Sequence, residues 1–304
     1  MVASKICRML FKIYCKCNEI VIIILLFLLH SLYKLCFLHK FKKARFYYNF
    51  FIYSVTWLAV CSLYYPIFKL RGRNLENAWE LLGVFEYLGE RILGLQITVR
   101  NSKVLMKDQA AVIITNHQSS LEMQLFLQIW RKTITKLIGV TKKEVRYIFP
   151  FGNVHHLMGT MFVSRDKGGI NDMDKVGIEV VKEKAKALIM PEGTRNRNRE
   201  IMLPFKRGAF HMAIKSQIPI IPVTTSPFYF IDYDKPSFEQ PRVIMQVLDE
   251  VSTVGLTLND VTELKERVQK QMWETYQKLY HECMGQDKNQ DNDEYDCNGY
   301  TIVE

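Results

Sequence analysis

The chain has seven cysteines, an odd number, and none between positions 62 and 282. A disulfide framework is therefore excluded as the source of its stability. The Cys15-Lys16-Cys17 pair has no second ligand pair at zinc spacing, so no structural metal site is expected. Asn-x-Ser/Thr sequons are also missing, and glycosylation gives no topological mark. Gly (15) and Pro (9) are too few for a collagen-like or low-complexity chain. A basic patch inside a folded nucleic-acid motif is lacking too. The net charge is +10, but residues 1–73 hold 12 Lys+Arg against one acid, Glu19, and residues 285–304 hold six acids against Lys288. That leaves residues 74–284 with only +4, which speaks against nucleic acid as a partner.

The positive excess flanks two apolar segments. Residues 20–38 begin with ten apolar residues and are then interrupted by His30 and Lys34. This run is short for a full span and reads as a retained anchor or a half-inserted helix. Residues 46–68 carry no charge and are long enough to cross a bilayer. Tyr47 and Tyr48 mark one end and Tyr64 and Tyr65 the other, the spacing of two aromatic belts. Basic residues precede, separate and follow the two segments, so charge gives no vote on orientation and permits a shallow hairpin on one leaflet. Residues 1–73 are thus expected to form a membrane-anchoring region, 74–284 the working domain, and 285–304 a disordered acidic tail.

From residue 74 the pattern changes. Strand-like runs fall at 110–115, 134–140, 161–163, 187–190, 219–224 and 243–248. Helical periodicity falls at 75–95, 121–130, 172–186, 207–216 and 260–282, the last with an apolar stripe through Val261, Leu264, Val268, Met272 and Leu279. Short buried strands alternating with helices predict an α/β domain with a mixed, largely parallel sheet flanked by helices.

The chemistry-bearing residues fall just after strands, where α/β sheets place their sites. The run 110–115 leads into Asn116-His117-Gln118-Ser119-Ser120-Leu121-Glu122. A carboxylate five residues beyond a histidine can orient its imidazole as a general base. The run 187–190 leads into Pro191-Glu192-Gly193-Thr194-Arg195, and 161–163 into Ser164-Arg165. Two arginines and a histidine at one end of a sheet suit a phosphorylated substrate, because guanidinium grips phosphate bidentately. His155, His156 and His211 read as packing or surface residues, and Pro219 and Pro222 as edge-of-strand punctuation.

These clusters resemble the motifs of the glycerolipid acyltransferases, most closely those of the animal 1-acylglycerol-3-phosphate O-acyltransferases. The N-H-x-S-x-x-acid, strand-plus-Arg, P-E-G-T-R and proline-containing strand motifs occur in family order. Arg71-Gly72-Arg73-Asn74-Leu75-Glu76-Asn77 and Leu203-Pro204-Phe205-Lys206-Arg207-Gly208 are similar to that subgroup as well. The resemblance covers roughly residues 46–283. It implies transfer of an acyl group from acyl-CoA to the 2-hydroxyl of lysophosphatidic acid, giving phosphatidic acid, with no metal or redox cofactor. His117 would be the general base. Lys142, Arg165 and Arg195 would hold the phosphate, Glu192, Gly193 and Thr194 would shape its pocket, and Asn116 and Ser119 would fix the loop. The implied setting is the endoplasmic reticulum membrane, with the bilayer as a partner.

One position departs from the pattern: the family carries Asp where this chain has Glu122. Glu is one methylene longer, and Ser119-Ser120-Leu121-Glu122 is also a capping box, in which Glu reaches back to a backbone N–H. Two uses therefore compete for one carboxylate. The alternatives are another acceptor, such as glycerol-3-phosphate or a different lysophospholipid, and a lipid-binding member with impaired catalysis.

Overall fold

Apolar runs too short for a helix, with β-branched residues and no alternation, must be buried on both faces. Ala111–Thr115 shows this directly: all five residues are buried. Ile113 joins the core on one side of the sheet, whereas Val112 and Ile114 join the core on the other. The computed structural model describes residues 16–29, 31, 42–134, 136–165, 168–286 and 300–303.

In chain order the elements are a helix over 16–29 (α1), α2 (Lys42–Arg71), α3 (Trp79–Tyr87), β1 (Gln96–Arg100), α4 (Lys103–Met106), β2 (Ala111–Thr115), α5 (Glu122–Thr133), β3 (Leu137–Lys142), α6 (Phe151–Leu157), β4 (Met161–Val163), α7 (Gly169–Glu183), β5 (Lys186–Ile189), α8 (Gly208–Ser216), β6 (Ile220–Thr225), β7 (Ile231–Asp232), β8 (Ser237–Phe238), β9 (Arg242–Val247), α9 (Val261–Gln286) and β10 (Tyr300–Val303). The main sheet has eight strands in the order β10-β1-β9-β6-β2-β5-β3-β4. Every neighbouring pair is parallel except β6 with β9. The expected mixed, largely parallel sheet is what forms. Crossover helices cover both faces: α2, α3 and α5 share one core, and α7, α8 and α9 face the other.

Three sequence readings need correction. Pro222 lies within the central strand β6, not at an edge. The antiparallel ladder with β9 begins one residue later, at Val223↔Val247, so the missing proline N–H deprives no partner. Tyr300–Val303, assigned to a disordered tail, adds a parallel strand beside β1; residues 287–299 lie outside the described residues. The boundary at 73/74 is a change in composition, not in packing. Ile52, Trp57, Val60 and Phe68 of α2 belong to the same core as Ile113 and Val223 of the sheet.

That packing also changes the reading of 46–68. Among the described residues one helix, Lys42–Arg71, is long and apolar enough to cross a membrane, yet 44% of its apolar window is buried inside the fold. Its inner face includes Asn49 and Thr56, and Tyr53 Oη donates to the carbonyl of Ser120 at 3.2 Å. Only the opposite face, with Tyr47, Phe51 and Leu58, is open. The helix is therefore an integral part of the α/β domain's core with one apolar strip left open. Of the first apolar segment, residues 30 and 32–38 lie outside the described residues.

Phe210 on α8 is fully buried in the core between α7, α8 and β2. Phe210→Ala is expected to cost about 3–5 kcal/mol of stability. Chemical denaturation of the detergent-solubilised chain measures it, and a loss below ~1 kcal/mol would contradict this packing.

Candidate active site

Strands β2, β3, β4, β5 and β6 all point the same way, so the residues following them meet along one edge of the sheet. His117 follows β2, Glu192 follows β5, Thr225 ends β6, Lys142 ends β3, and Arg165 follows β4.

Glu122 sits at the first turn of α5 and is fully buried. Its two oxygens divide the work. Oε2 is 2.5 Å from His117 Nδ1. Oε1 accepts from the backbone N–H of Ser119 at 2.8 Å and from that of Gln118. The two uses that compete in the sequence are thus made together. Ser119 Oγ accepts from Leu121 N–H at 3.2 Å and contacts Tyr233 Oη at 2.7 Å, so the reciprocal half of a capping box is not formed. Burial pushes the Glu122 carboxyl upward, and this is opposed by the His117 ring and by the Gln118 and Ser119 amides. With Nδ1 held by a carboxylate, the Nε2 side of the ring is the side available to take a proton.

The histidine loop is tied down twice more. Asn116 staples the ends of β2 and β6 together: its Nδ2 donates to Thr225 O at 3.1 Å, and its Oδ1 accepts from Thr225 N–H at 2.8 Å. Glu192, expected at the phosphate, turns inward instead. Its Oε1 accepts from His117 N–H at 2.7 Å and its Oε2 from Leu203 N–H at 3.2 Å. It is a positioning residue for the loop, and burial pushes its carboxyl up to about 7. Gly193 makes that turn possible. Its φ is +68°, and a Cβ there would lie 2.8 Å from the Lys206 side chain.

Lys142, Arg165, Thr194 and Arg195 lie exposed along the same edge. No carboxylate among the described residues pairs with these three cations. They are cations following strands on the same side of the sheet as His117, which suits an anionic group.

Sequence reasoning missed two features. Gln118, an unassigned position within the motif, donates to Ser226 O at 3.0 Å and accepts from Phe228 N–H at 3.0 Å, fixing the loop after β6. The second is a cavity of about 560 Å3 that reaches His117. Its walls come from α2, α3, α5, β3 and α6, with Trp57, Phe85, Leu127, Val140 and Phe151 among them. These side chains are scattered over some ninety positions, so no local pattern announces them. His155, expected as a packing residue, lies on this wall between Trp57 and Phe151, and burial holds its pKa down at about 4. A fixed imidazole–carboxylate pair at the mouth of an apolar pocket can take a proton from a group brought to it.

Known proteins are similar to this chain over most of its length. Residues 96–226 match the Acyltransferase family model. Human 1-acyl-sn-glycerol-3-phosphate acyltransferase beta is 32% identical over 240 residues, covering 77% of this chain and 84% of that one. The 1-acyl-sn-glycerol-3-phosphate acyltransferase of Saccharomyces cerevisiae is 33% identical over 242 residues, covering 77% and 78%. The crystal structure of the 1-acyl-sn-glycerophosphate (LPA) acyltransferase PlsC from Thermotoga maritima shares the fold, with a TM-score of 0.59 at 20% identity over 78% of this chain and 95% of that one. The chain belongs to the acyltransferase family.

Glu192 gives a pH signature. Its folded pKa, about 7, is raised above the ordinary 4.5, so between those values the folded state binds more protons than the unfolded. Stability conferred by this group is fully present below about 4.5 and is lost as pH rises through about 7. Glu192→Gln removes that slope, while also costing one of the two backbone bonds. Thermal melts from about pH 3.5 to about pH 8, roughly one unit beyond each value, test it; an unchanged slope in the variant would contradict the assignment.

Proposed function

We propose that the chain is a membrane-associated 1-acylglycerol-3-phosphate O-acyltransferase that uses acyl-CoA. The observation that carries this reading is the His117–Glu122 pair at 2.5 Å on the wall of the apolar cavity, with the three cations on the same side of the sheet. An acyl chain lies in the cavity with its thioester at His117. The phosphate of lysophosphatidic acid is held by Lys142, Arg165 and Arg195, with the Thr194 hydroxyl beside them. His117 Nε2 takes the proton of the 2-hydroxyl as its oxygen attacks the thioester carbon. Glu122 holds the tautomer and stabilises the imidazolium that forms. The C–S bond then breaks, the imidazolium gives its proton to the leaving thiolate, and phosphatidic acid and free CoA leave. This scheme calls for no metal or redox cofactor.

A second reading, a lipid-binding member impaired by Glu122, is disfavoured by the geometry around that residue. The longer side chain already reaches His117, so restoring Asp has nothing to restore. The open face of α2 supports work at a bilayer surface, and the endoplasmic reticulum is its proposed address.

An assay of acyl-CoA with lysophosphatidic acid in detergent or microsomes tests the reading. Wild type turns over, and His117→Ala falls by about 10^3-fold or more. Glu122→Asp withdraws the carboxylate by about 1.5 Å and gives no gain in rate. Absence of wild-type transfer, or a tenfold gain in Glu122→Asp, would sink it. Arg195→Ala is expected to raise KM for lysophosphatidic acid roughly tenfold, the worth of one charged hydrogen bond, with a smaller effect on KM for acyl-CoA. An unchanged acceptor KM would remove Arg195 from the phosphate.

A further inference from the structure

Between β3 and α6 the chain exposes three large apolar side chains in succession. Tyr147, Ile148 and Phe149 are 76%, 55% and 68% exposed. A soluble surface scatters such residues singly, and three together mark an interaction surface. They also touch the outer part of α2, with the rings of Phe149 and Tyr65 5.3 Å apart and near perpendicular. The apolar strip of α2, including Phe51 and Leu58, therefore continues into this loop. Ile148 and Phe149 border the apolar cavity as well.

Beside the loop runs an open groove along the edge strand β4, lined by Arg73, Lys143, Arg146, Tyr147, His156 and Glu179. Arg73 is spent on Glu179, at 2.5 Å. Arg146 leans over the Phe162 ring and donates to Asn153 at 3.0 Å. Neither Arg146 nor Lys143 pairs with a carboxylate among the described residues. The surplus positive field is felt at His156, whose pKa is held down by burial and by Arg146 and Arg73. A cationic groove whose lip is a bare aromatic and aliphatic wedge matches the layering of a leaflet, with anionic phosphates outside and acyl chains beneath.

We propose that the groove at Lys143 and Arg146 and the wedge Tyr147–Ile148–Phe149 form a site for an anionic phospholipid of the bilayer. Its phosphate lies in the groove and its acyl chains lie against the wedge. This would set the border of the apolar cavity at the level of the acyl layer, so that substrates reach it without crossing water. The site is separate from the rim of Lys142, Arg165 and Arg195. It rests on the chain's working at a bilayer and not on the reaction it performs.

The test uses the full chain carrying Tyr147→Trp in nanodiscs of phosphatidylcholine, with and without phosphatidylglycerol, and with bromine on the acyl chains in a parallel set. The wild-type chain supplies the background of its four tryptophans. The added tryptophan is expected to emit as a buried indole and to be quenched by brominated chains, more strongly when phosphatidylglycerol is present. Replacing Lys143 and Arg146 by alanine in that background weakens the phosphatidylglycerol response roughly tenfold, the order expected for two screened cations at an anionic surface. The same double substitution leaves acyl transfer in neutral detergent at the wild-type level. Water-like emission without quenching overturns the proposal, as does quenching indifferent to phosphatidylglycerol or to the alanine pair. Inorganic phosphate reproducing the effect of the anionic lipid would make this a free-anion site and overturn the lipid assignment. A chain that does not enter the discs overturns the bilayer reading and this proposal together. The emission needs no turnover, so failure of the acyl-transfer assay leaves its result standing.

Discussion

A carboxylate with no exposed surface must be neutralised or hydrogen-bonded on every side, because burying a bare charge costs far more than a domain's net stability. Glu122 meets that demand with one imidazole and two backbone amides. The geometry of the reacting centre follows from this. The three donors come from consecutive residues, His117, Gln118 and Ser119, so satisfying the carboxylate closes the loop between β2 and α5 into a tight ring. His117 cannot swing away without leaving Oε2 unpaired, and α5 cannot shift without leaving Oε1 unpaired. The carboxylate at the start of α5 also lies at the positive end of the helix dipole. Catalytic orientation and helix initiation are therefore the same constraint, set by opposite oxygens of one side chain.

The parallel sheet converts that local ring into a site. Adjacent strands lie about 4.8 Å apart, so residues after β2, β5, β3 and β4 form a row spanning roughly 15 Å. His117 stands at one end of the row and Arg165 at the other, with Glu192 and Lys142 between them. The members of the row differ in exposure for a physical reason. Glu192 is pulled inward by two unsatisfied backbone amides, whereas Lys142, Arg165 and Arg195 stay hydrated because no described carboxylate offers them a partner inside. The same motif thus supplies both a buried brace and a solvated ligand: in Pro191–Arg195 the inward Glu192 and the outward Arg195 are separated by Gly193, whose positive φ reverses the chain between them.

Strands β2, β5 and β6 were legible because burial on both faces leaves a local trace, an apolar run of about five residues, whereas β1, with alternating burial, and the short β7, β8 and β10 gave no such run. The positions of His117 and Arg165 just after strands were legible for the same reason. The direction of Glu192 was not legible. A carboxylate in a phosphate-binding motif looks the same in sequence whether it faces substrate or backbone, and only the amides of His117 and Leu203, 75 positions before it and 11 after, decide the matter. The cavity was invisible for a related reason. Trp57 falls in the apolar segment 46–68 and Phe151 in a stretch given no element, and they become one wall only when α2 docks on α6.

That docking explains why α2 belongs to the enzyme and does not merely tether it. Composition alone separates residues 1–73 from the rest, because apolar residues facing lipid and apolar residues facing a protein core have the same hydropathy. Position on the helix distinguishes them. Phe46, Asn49, Tyr53, Trp57, Val60 and Tyr64 recur every three or four residues and are buried, while Tyr47, Phe51 and Leu58 are open. The inner stripe carries a polar contact to Ser120, in the catalytic loop, and lines the cavity through Tyr53, Trp57 and Cys61. One face of the helix is docked on the sheet and the catalytic-loop side, and Ser54 and Leu58 at its border also line the cavity, so the helix cannot shift without changing the pocket. Removing residues 42–71 would therefore strip the cavity of the wall made by Tyr53, Ser54, Trp57, Leu58 and Cys61, so the helix and the pocket are one structural unit.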